Sequence, residues 1–265
     1  MEFTRSRLFQ RHLSPILLVS WSLAALCQPA PQGYESPSKS YSVVNAPLPV
    51  EQVVKRLEEK NAERTAALEQ YEATRIYRMQ YQGFPSDRDA EMVIHMAYRA
   101  PNSKEFRVVS QTGSKLIIDR VFKKLLEGEQ EAANEENRQH TALTTENYDF
   151  ALAGYEPAPD GGRYVLNLTP RTKNKFLYRG KIWVDAKDFA VVRIKGEPGK
   201  NPSFWIKKTD VEHNYEKVGD FWLPAQNRTE SVVRLGGVAR LSIEYKDYKI
   251  LKAEPLREAK AGSNR

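Results

Sequence analysis

Between Phe176 and Ile250, short apolar-and-charged runs alternate with turn signals in a rhythm that only an antiparallel meander explains. The runs are Lys181-Ile-Trp-Val-Asp185, Ala190-Val-Val-Arg-Ile194, Phe204-Trp-Ile206, Phe221-Trp-Leu-Pro224 and Ala239-Arg-Leu-Ser-Ile-Glu-Tyr245. Between them lie Ala-Lys-Asp, a Gly/Pro-rich stretch, Val-Gly-Asp and Gly-Gly. One long curled sheet is the consequence.

Upstream, Tyr77, Met79 and Tyr81 alternate in one run, and Met92, Ile94, Met96 and Tyr98 in the next, with the turn at 83–89. Each run has one apolar face. Phe106-Arg-Val-Val109 continues the sheet to Gly113. Strands resume at Tyr148-Asp-Phe-Ala-Leu152 and Tyr164-Val-Leu-Asn-Leu168, joined by a turn at 157–162. Two helices interrupt the strands. Pro49 starts the first, which runs to about Tyr71 on Val50, Val53, Val54, Leu57 and Leu68. In the second, Leu116, Ile117, Ile118, Val121, Phe122, Leu125 and Leu126 spread over more than half of the circumference, wider than the roughly 100° stripe of a surface helix. That helix is expected to be buried on more than one side. The polar stretch 127–140 after it reads as a solvated helical extension or mobile insertion.

The first 27 residues read as a secretory signal, with Arg5, Arg7 and Arg11 before an apolar core from Pro15 to Leu26. Cleavage is expected after Cys27, giving a soluble periplasmic protein. The rival is lipidation of Cys27, which the bulky Leu26 disfavours. Residues 28–46 read as a flexible linker, 47–252 as the folded domain and 253–265 as a polar tail. The sole cysteine lies in the signal, so the mature chain would rely on its core and not on disulfides.

Net charge is +7, with Lys and Arg spread along strands beside Glu and Asp, and a nucleic-acid binder would concentrate its cations on one element. No nucleic-acid partner is expected. Three mature histidines, His95, His140 and His213, keep no metal-ligand spacing, and no Gly-x-Ser-x-Gly elbow is present. Asp185, Asp188, Asp210 and Asp220 suit turns. The chain therefore reads as non-enzymatic, without cofactor or metal. Trp183, Trp205 and Trp222 read as packing residues of the hairpins.

The order of helix, long strands, crossing helix and meander resembles the outer-membrane lipoprotein-sorting superfamily, the Lol carrier fold, which also includes regulators of the envelope stress response. The resemblance covers roughly 50–251. It is carried by 71–81, 92–101 and 164–170, by Gly180-Lys-Ile-Trp-Val-Asp185 with Phe189-Ala-Val-Val-Arg-Ile194, and by Phe221-Trp-Leu-Pro224. It implies a mostly β (α+β) fold: a curled, unclosed antiparallel β-barrel with helices capping a concave face that shelters acyl chains. No functional residue is carried over by motif.

From the apolar faces, Tyr77, Met79, Tyr81, Met92, Ile94, Met96, Tyr98, Ile117 and Phe122 are the candidate cavity residues, because thioethers and tyrosine rings suit irregular apolar ligands. The expected partners are lipid or lipoprotein acyl chains bound by a monomer. The alternative is an envelope sensor or assembly protein that docks a protein partner. A chain-sized apolar cavity would favour the first, and a filled core with an exposed groove the second.

Overall fold

Alternation decides the strands. In the run from Tyr71 to Met79 the odd positions are Tyr71, Ala73, Arg75, Tyr77 and Met79, and the first four are buried while Glu72, Thr74 and Ile76 are half-exposed. The computed structural model describes residues 46–133, 139–158, 161–201, 203–234 and 236–256, all within one compact unit, Ser40–Arg265. The expected signal peptide, almost all of the linker and most of the polar tail lie outside the described residues.

Ten strands form one sheet: β1 Leu68–Gly83, β2 Arg88–Arg99, β3 Ser103–Gly113, β4 Tyr148–Glu156, β5 Arg163–Pro170, β6 Tyr178–Asp185, β7 Val191–Pro198, β8 Ile206–Val218, β9 Phe221–Val233 and β10 Gly237–Ala253. Their order is β3-β2-β1-β10-β9-β8-β7-β6-β5-β4, and every pairing is antiparallel. The strands β3 and β4 are free edges, so the curled barrel is unclosed. Gly180 on β6 faces Gly196 on β7. A Cβ on Gly180 would sit 2.6 Å from the Gly196 Cα, so this backbone approach requires glycine.

The helix α1, Val50–Ala67, lays Val53, Val54 and Leu57 on the β4–β7 half of the sheet, against Tyr148, Leu166, Ile182 and Val184. It stops four residues earlier than its apolar spacing predicts: Leu68 and Tyr71 belong to β1, where the pairing of Tyr71 with Ile250 and Tyr98 outweighs helical spacing. Its end is fastened by Arg64, whose guanidinium donates to the carbonyls of Asp188 and Phe189. Those residues belong to a turn in which the Asp185 carboxylate accepts from the N–H groups of Lys187 and Asp188.

The second helical stretch, 115–133, comprises α2 Lys115–Ile117, a π-helical turn Ile118–Phe122 and α3 Lys123–Ala133. We call it the strap. Ile117, Ile118 and Phe122 are buried against Tyr77, Met92, Ile94 and Ile243, the β1–β2–β10 half of the sheet. Only one side is buried, contrary to the sequence expectation: Leu116 is 56% exposed, and Asp119, Arg120, Lys123 and Lys124 face outward. The π turn widens the helix locally, so 117, 118, 121 and 122 serve a single face.

Other boundaries differ too. Phe204 and Trp205 precede β8 instead of forming a strand with Ile206, and Trp205 is exposed instead of packed. Trp183 does pack, with Val165, Val192 and Trp222, on the convex face. His95 lies on that face beside Glu72, as the alternation requires. The strand β10 runs to Ala253, and Leu256 packs against Phe221 and Leu223, so the polar tail begins later than expected. Among the described residues no helix is long and apolar enough to cross a membrane, and no group of His, Cys, Asp and Glu could hold a metal.

Candidate functional site

One cross-strand row crosses all ten strands on the concave face: Gln111, Met92, Tyr77, Ile243, Asn227, His213, Ile194, Ile182, Leu166 and Leu152. Directly opposed residues share a face, so the row can be read by register alone. It is apolar except at the β3 edge and at the centre. There Asn227 and His213 stand between the half covered by the strap and the half covered by α1.

That polar centre is incompletely satisfied. Asn227 donates through Nδ2 to the Tyr245 hydroxyl at 2.9 Å, while its Oδ1 and the Nε2 of His213 are buried without a well-formed hydrogen bond among the described residues. The Tyr178 ring meets the His213 imidazole edge-on at 5.1 Å. Burial lowers the His213 pKa from its ordinary value, opposed by the Asn227 side chain, so the imidazole is held neutral.

On the Asn227 side of this centre runs a groove of about 780 Å³. Val121, Leu125 and Glu129 of the strap form one wall; Phe176, Tyr178, Asn227, Ile243 and Tyr245 form the other wall and the floor. Arg120, Lys124 and Lys175 stand at its margin with Glu127 and Glu131, and Lys175 pairs with Glu131 at 2.9 Å. The volume falls within the several-hundred-cubic-ångström range of small-ligand clefts.

The strap is tied down at its far end by an ion pair. Arg75 Nη1 lies 2.8 and 2.7 Å from the two carboxylate oxygens of Glu129; the Tyr77 hydroxyl donates to the same carboxylate at 3.2 Å, and Lys104 Nζ reaches it at 3.5 Å. Arg75 is 3% exposed, and its guanidinium lies over the rings of Tyr245 and Phe106. Burial works against the Arg75 charge, but Glu129 outweighs it and raises the pKa above the ordinary arginine value. Burial likewise opposes ionisation of Glu129, and the charges of Arg75 and then Lys104 overcome it, holding the carboxyl below its usual range. Burial raises the Tyr77 and Tyr245 hydroxyls well above their usual range. The site thus contains a fixed charge pair and neutral polar groups, suited to holding and orienting.

The sequence candidates fall elsewhere. Tyr77, Met92 and Ile94 are packed beneath the strap against its own Ile117 and Phe122, with the half-buried Met79. Met96 belongs to a neighbouring cluster with Tyr71 and Ala73, against which Tyr98 packs. Tyr81 stands at the end of the sheet, hydrogen-bonding the Phe84 carbonyl. None of the nine lines the groove.

Sequence reasoning missed the residues that do line it, and missed Arg75 and Glu129. Arg75 had a signal: it is the one charge among the alternating positions from Tyr71 to Tyr81, between Ala73 and Tyr77. Glu129 follows Phe122 and Leu125 at helical spacing, within the stretch expected to be solvated.

No family model matches the chain, and no curated protein does. Distant likenesses exist among solved structures. A DUF1329 family protein from Desulfovibrio piger is 13% identical, with 77% of this chain and 93% of that one covered at a TM-score of 0.38. A putative outer membrane lipoprotein-sorting protein domain from Vibrio parahaemolyticus is 11% identical over 76% and 93%, at 0.37. A LolA superfamily protein from Nitrosomonas europaea is 12% identical over 80% and 96%, at 0.33. The functional reading rests on the groove and its lining.

Proposed function

We propose that this is a non-enzymatic protein of the cell envelope that docks an extended segment of a protein partner in the groove between strap and sheet. The observation that carries the reading is the lining of the groove, in which polar and charged side chains, Lys124, Glu127, Lys175, Tyr178, Asn227 and Tyr245 among them, outnumber the apolar Val121, Leu125, Phe176 and Ile243. An acyl chain laid along it would cover these groups with hydrocarbon that pairs with none of them, a cost of roughly 1–3 kcal/mol for each group so desolvated. A peptide brings amide N–H and C=O groups that can pair with them. The packing of Tyr77, Met92 and Ile94 against Ile117 and Phe122 of the strap, and of Met96 against Tyr71 and Ala73, supports the same choice. The strap is then a cover whose position Arg75 and Glu129 set, and its movement widens the groove.

Carriage of lipid or lipoprotein acyl chains is the second reading, favoured by the apolar groove residues Val121, Leu125, Phe176 and Ile243. On either reading the protein works as a periplasmic carrier or chaperone after export, and acts as a monomer.

Photocrosslinking separates the two. A photoreactive residue at Val121 or Ile243 is expected to yield a discrete protein adduct in cells, and denaturing extraction of the purified protein is expected to yield no stoichiometric lipid. One acyl lipid per chain, with no protein adduct, would overturn the docking reading in favour of carriage.

A further inference from the structure

The exposed phenylalanines and the exposed tryptophan of the described residues all project from one end of the sheet. Phe84 is 76% exposed, Phe204 75% and Trp205 53%. Phe84 belongs to the β1–β2 turn, and Phe204 and Trp205 to the β7–β8 connection. Register brings them together: Gly83 of β1 pairs with Gly237 of β10, Val238 of β10 with Val232 of β9, and Val233 of β9 with Ile206 of β8. Four neighbouring strands span only about 14 Å at the usual spacing.

These rings are held outward by built contacts. The Tyr81 hydroxyl lies 2.6 Å from the Phe84 carbonyl oxygen and 3.1 Å from that of Gly236. Arg234 donates from Nε to the Phe204 carbonyl and from its backbone N–H to the Trp205 carbonyl, and its guanidinium stands 5.1 Å from the Phe204 ring. The rings of Phe204 and Trp205 meet edge-on at 5.5 Å. Three separate segments are thus bound into one apolar tip.

Charge surrounds it asymmetrically. The segments 81–89, 198–210 and 230–240 carry Arg88, Lys200, Lys207, Lys208, Arg234 and Arg240 against Asp87, Asp89, Asp210 and Glu230. Lys208 pairs with Asp210 and Arg240 with Glu230, while among the described residues Arg234 is held by the Phe204 and Trp205 carbonyls and the Phe204 ring. The excess is positive.

We propose that this end of the sheet is a membrane-docking tip, seating its aromatic rings among the headgroups of a bilayer that carries anionic lipid. Aromatic rings flanked by cations are the composition favoured at that interface. Area argues against a protein occupant. A wholly buried aromatic removes about 150–250 Å², so three partly packed rings offer roughly 400 Å², half of the ~800 Å² per partner that a stable protein interface needs. A bilayer imposes no such minimum. The inference is independent of the groove.

Flotation with vesicles tests it, using three parts phosphatidylethanolamine to one part phosphatidylglycerol, against phosphatidylcholine alone. The parent protein is expected to float with the anionic vesicles and less with the neutral ones. Phe84→Ser, and separately Phe204→Ser with Trp205→Ser, should weaken binding about tenfold or more per ring removed, with unchanged melting temperature because the rings are outside the core. Brominated lipid should quench the fluorescence of the parent, and quench it less in Trp205→Phe. Equal flotation of parent and variants would overturn the proposal, since adsorption would then be by charge alone. Failure of the parent to float at low salt would also overturn it and return the tip to a protein contact.

Discussion

Arg75 on β1 and Glu129 on the strap are separated by 54 positions in sequence, yet their charged groups approach to 2.7 Å with the guanidinium almost wholly buried. A buried arginine needs a counter-charge, and the one supplied here comes from the element that covers the concave face. The pair therefore makes the strap's position a condition of satisfying the sheet's own interior.

Removing the carboxylate should expose this dependence. Glu129→Gln leaves Arg75 uncompensated and should destabilise the protein by about 1–3 kcal/mol, below the 3–5 of a fully buried pair because the Glu129 side chain is 25% exposed. Arg75→Met in the same chain should recover part of that loss. A double-mutant cycle in urea measures the coupling, and strictly additive effects would show that the pair does not hold the strap.

Acid should act on the same pair. The Glu129 carboxyl is held below its ordinary value in the folded protein, so its contribution is complete above the unfolded carboxyl pKa of about 4.3 and is lost as pH falls through the lower folded value. The stability advantage of the parent over Glu129→Gln should be constant from about pH 7 to pH 5 and shrink below pH 4. Urea midpoints across that range check the sign. An advantage that grew on acidification would contradict it.

The buried side of the strap predicts a contrast within a few residues. Ile117→Asp and Phe122→Asp each place a lone carboxylate at a site 2% or less exposed and should cost several kcal/mol, a large part of a domain's 5–15. Leu116→Asp, at an exposed site, should change the melting temperature little. Similar melts for all three would deny that the strap packs on the sheet.

Met96 offers a test of core against cavity. It is fully buried beside Tyr71 and Ala73, so Met96→Trp should overpack the site and cost about 1–3 kcal/mol. A vacant ligand cavity would accept the larger ring. Thermal melts of parent and variant decide between them.

Much of this architecture was legible in the sequence because strand alternation and turn glycines are local. The faces of β1 and β2, the meander and the presence of two helices follow from spacing, while the capping of the sheet by those helices was what the resemblance implied. Local patterns failed where a long-range partner decided the outcome. Leu68 and Tyr71 fit the helix but join β10; Leu116 fits an apolar stripe but faces solvent; Glu129 sits in a polar stretch but meets Arg75. The groove was illegible for the same reason, since Asn227, Ile243, Tyr178 and Val121 come together only through register and the placement of the strap. Arg75 was the exception, a charge at an inward position that already called for a partner.

Hydrogen exchange followed peptide by peptide tests the central claim most directly, comparing the parent with Glu129→Gln. If Arg75 and Glu129 hold a cover over the groove, backbone amides across 118–133 should exchange faster in the variant, while those of β1, β9 and β10 keep the parent's protection beyond the global loss of stability. Unchanged protection across the strap, or a uniform rise throughout the sheet with none specific to 118–133, would contradict it.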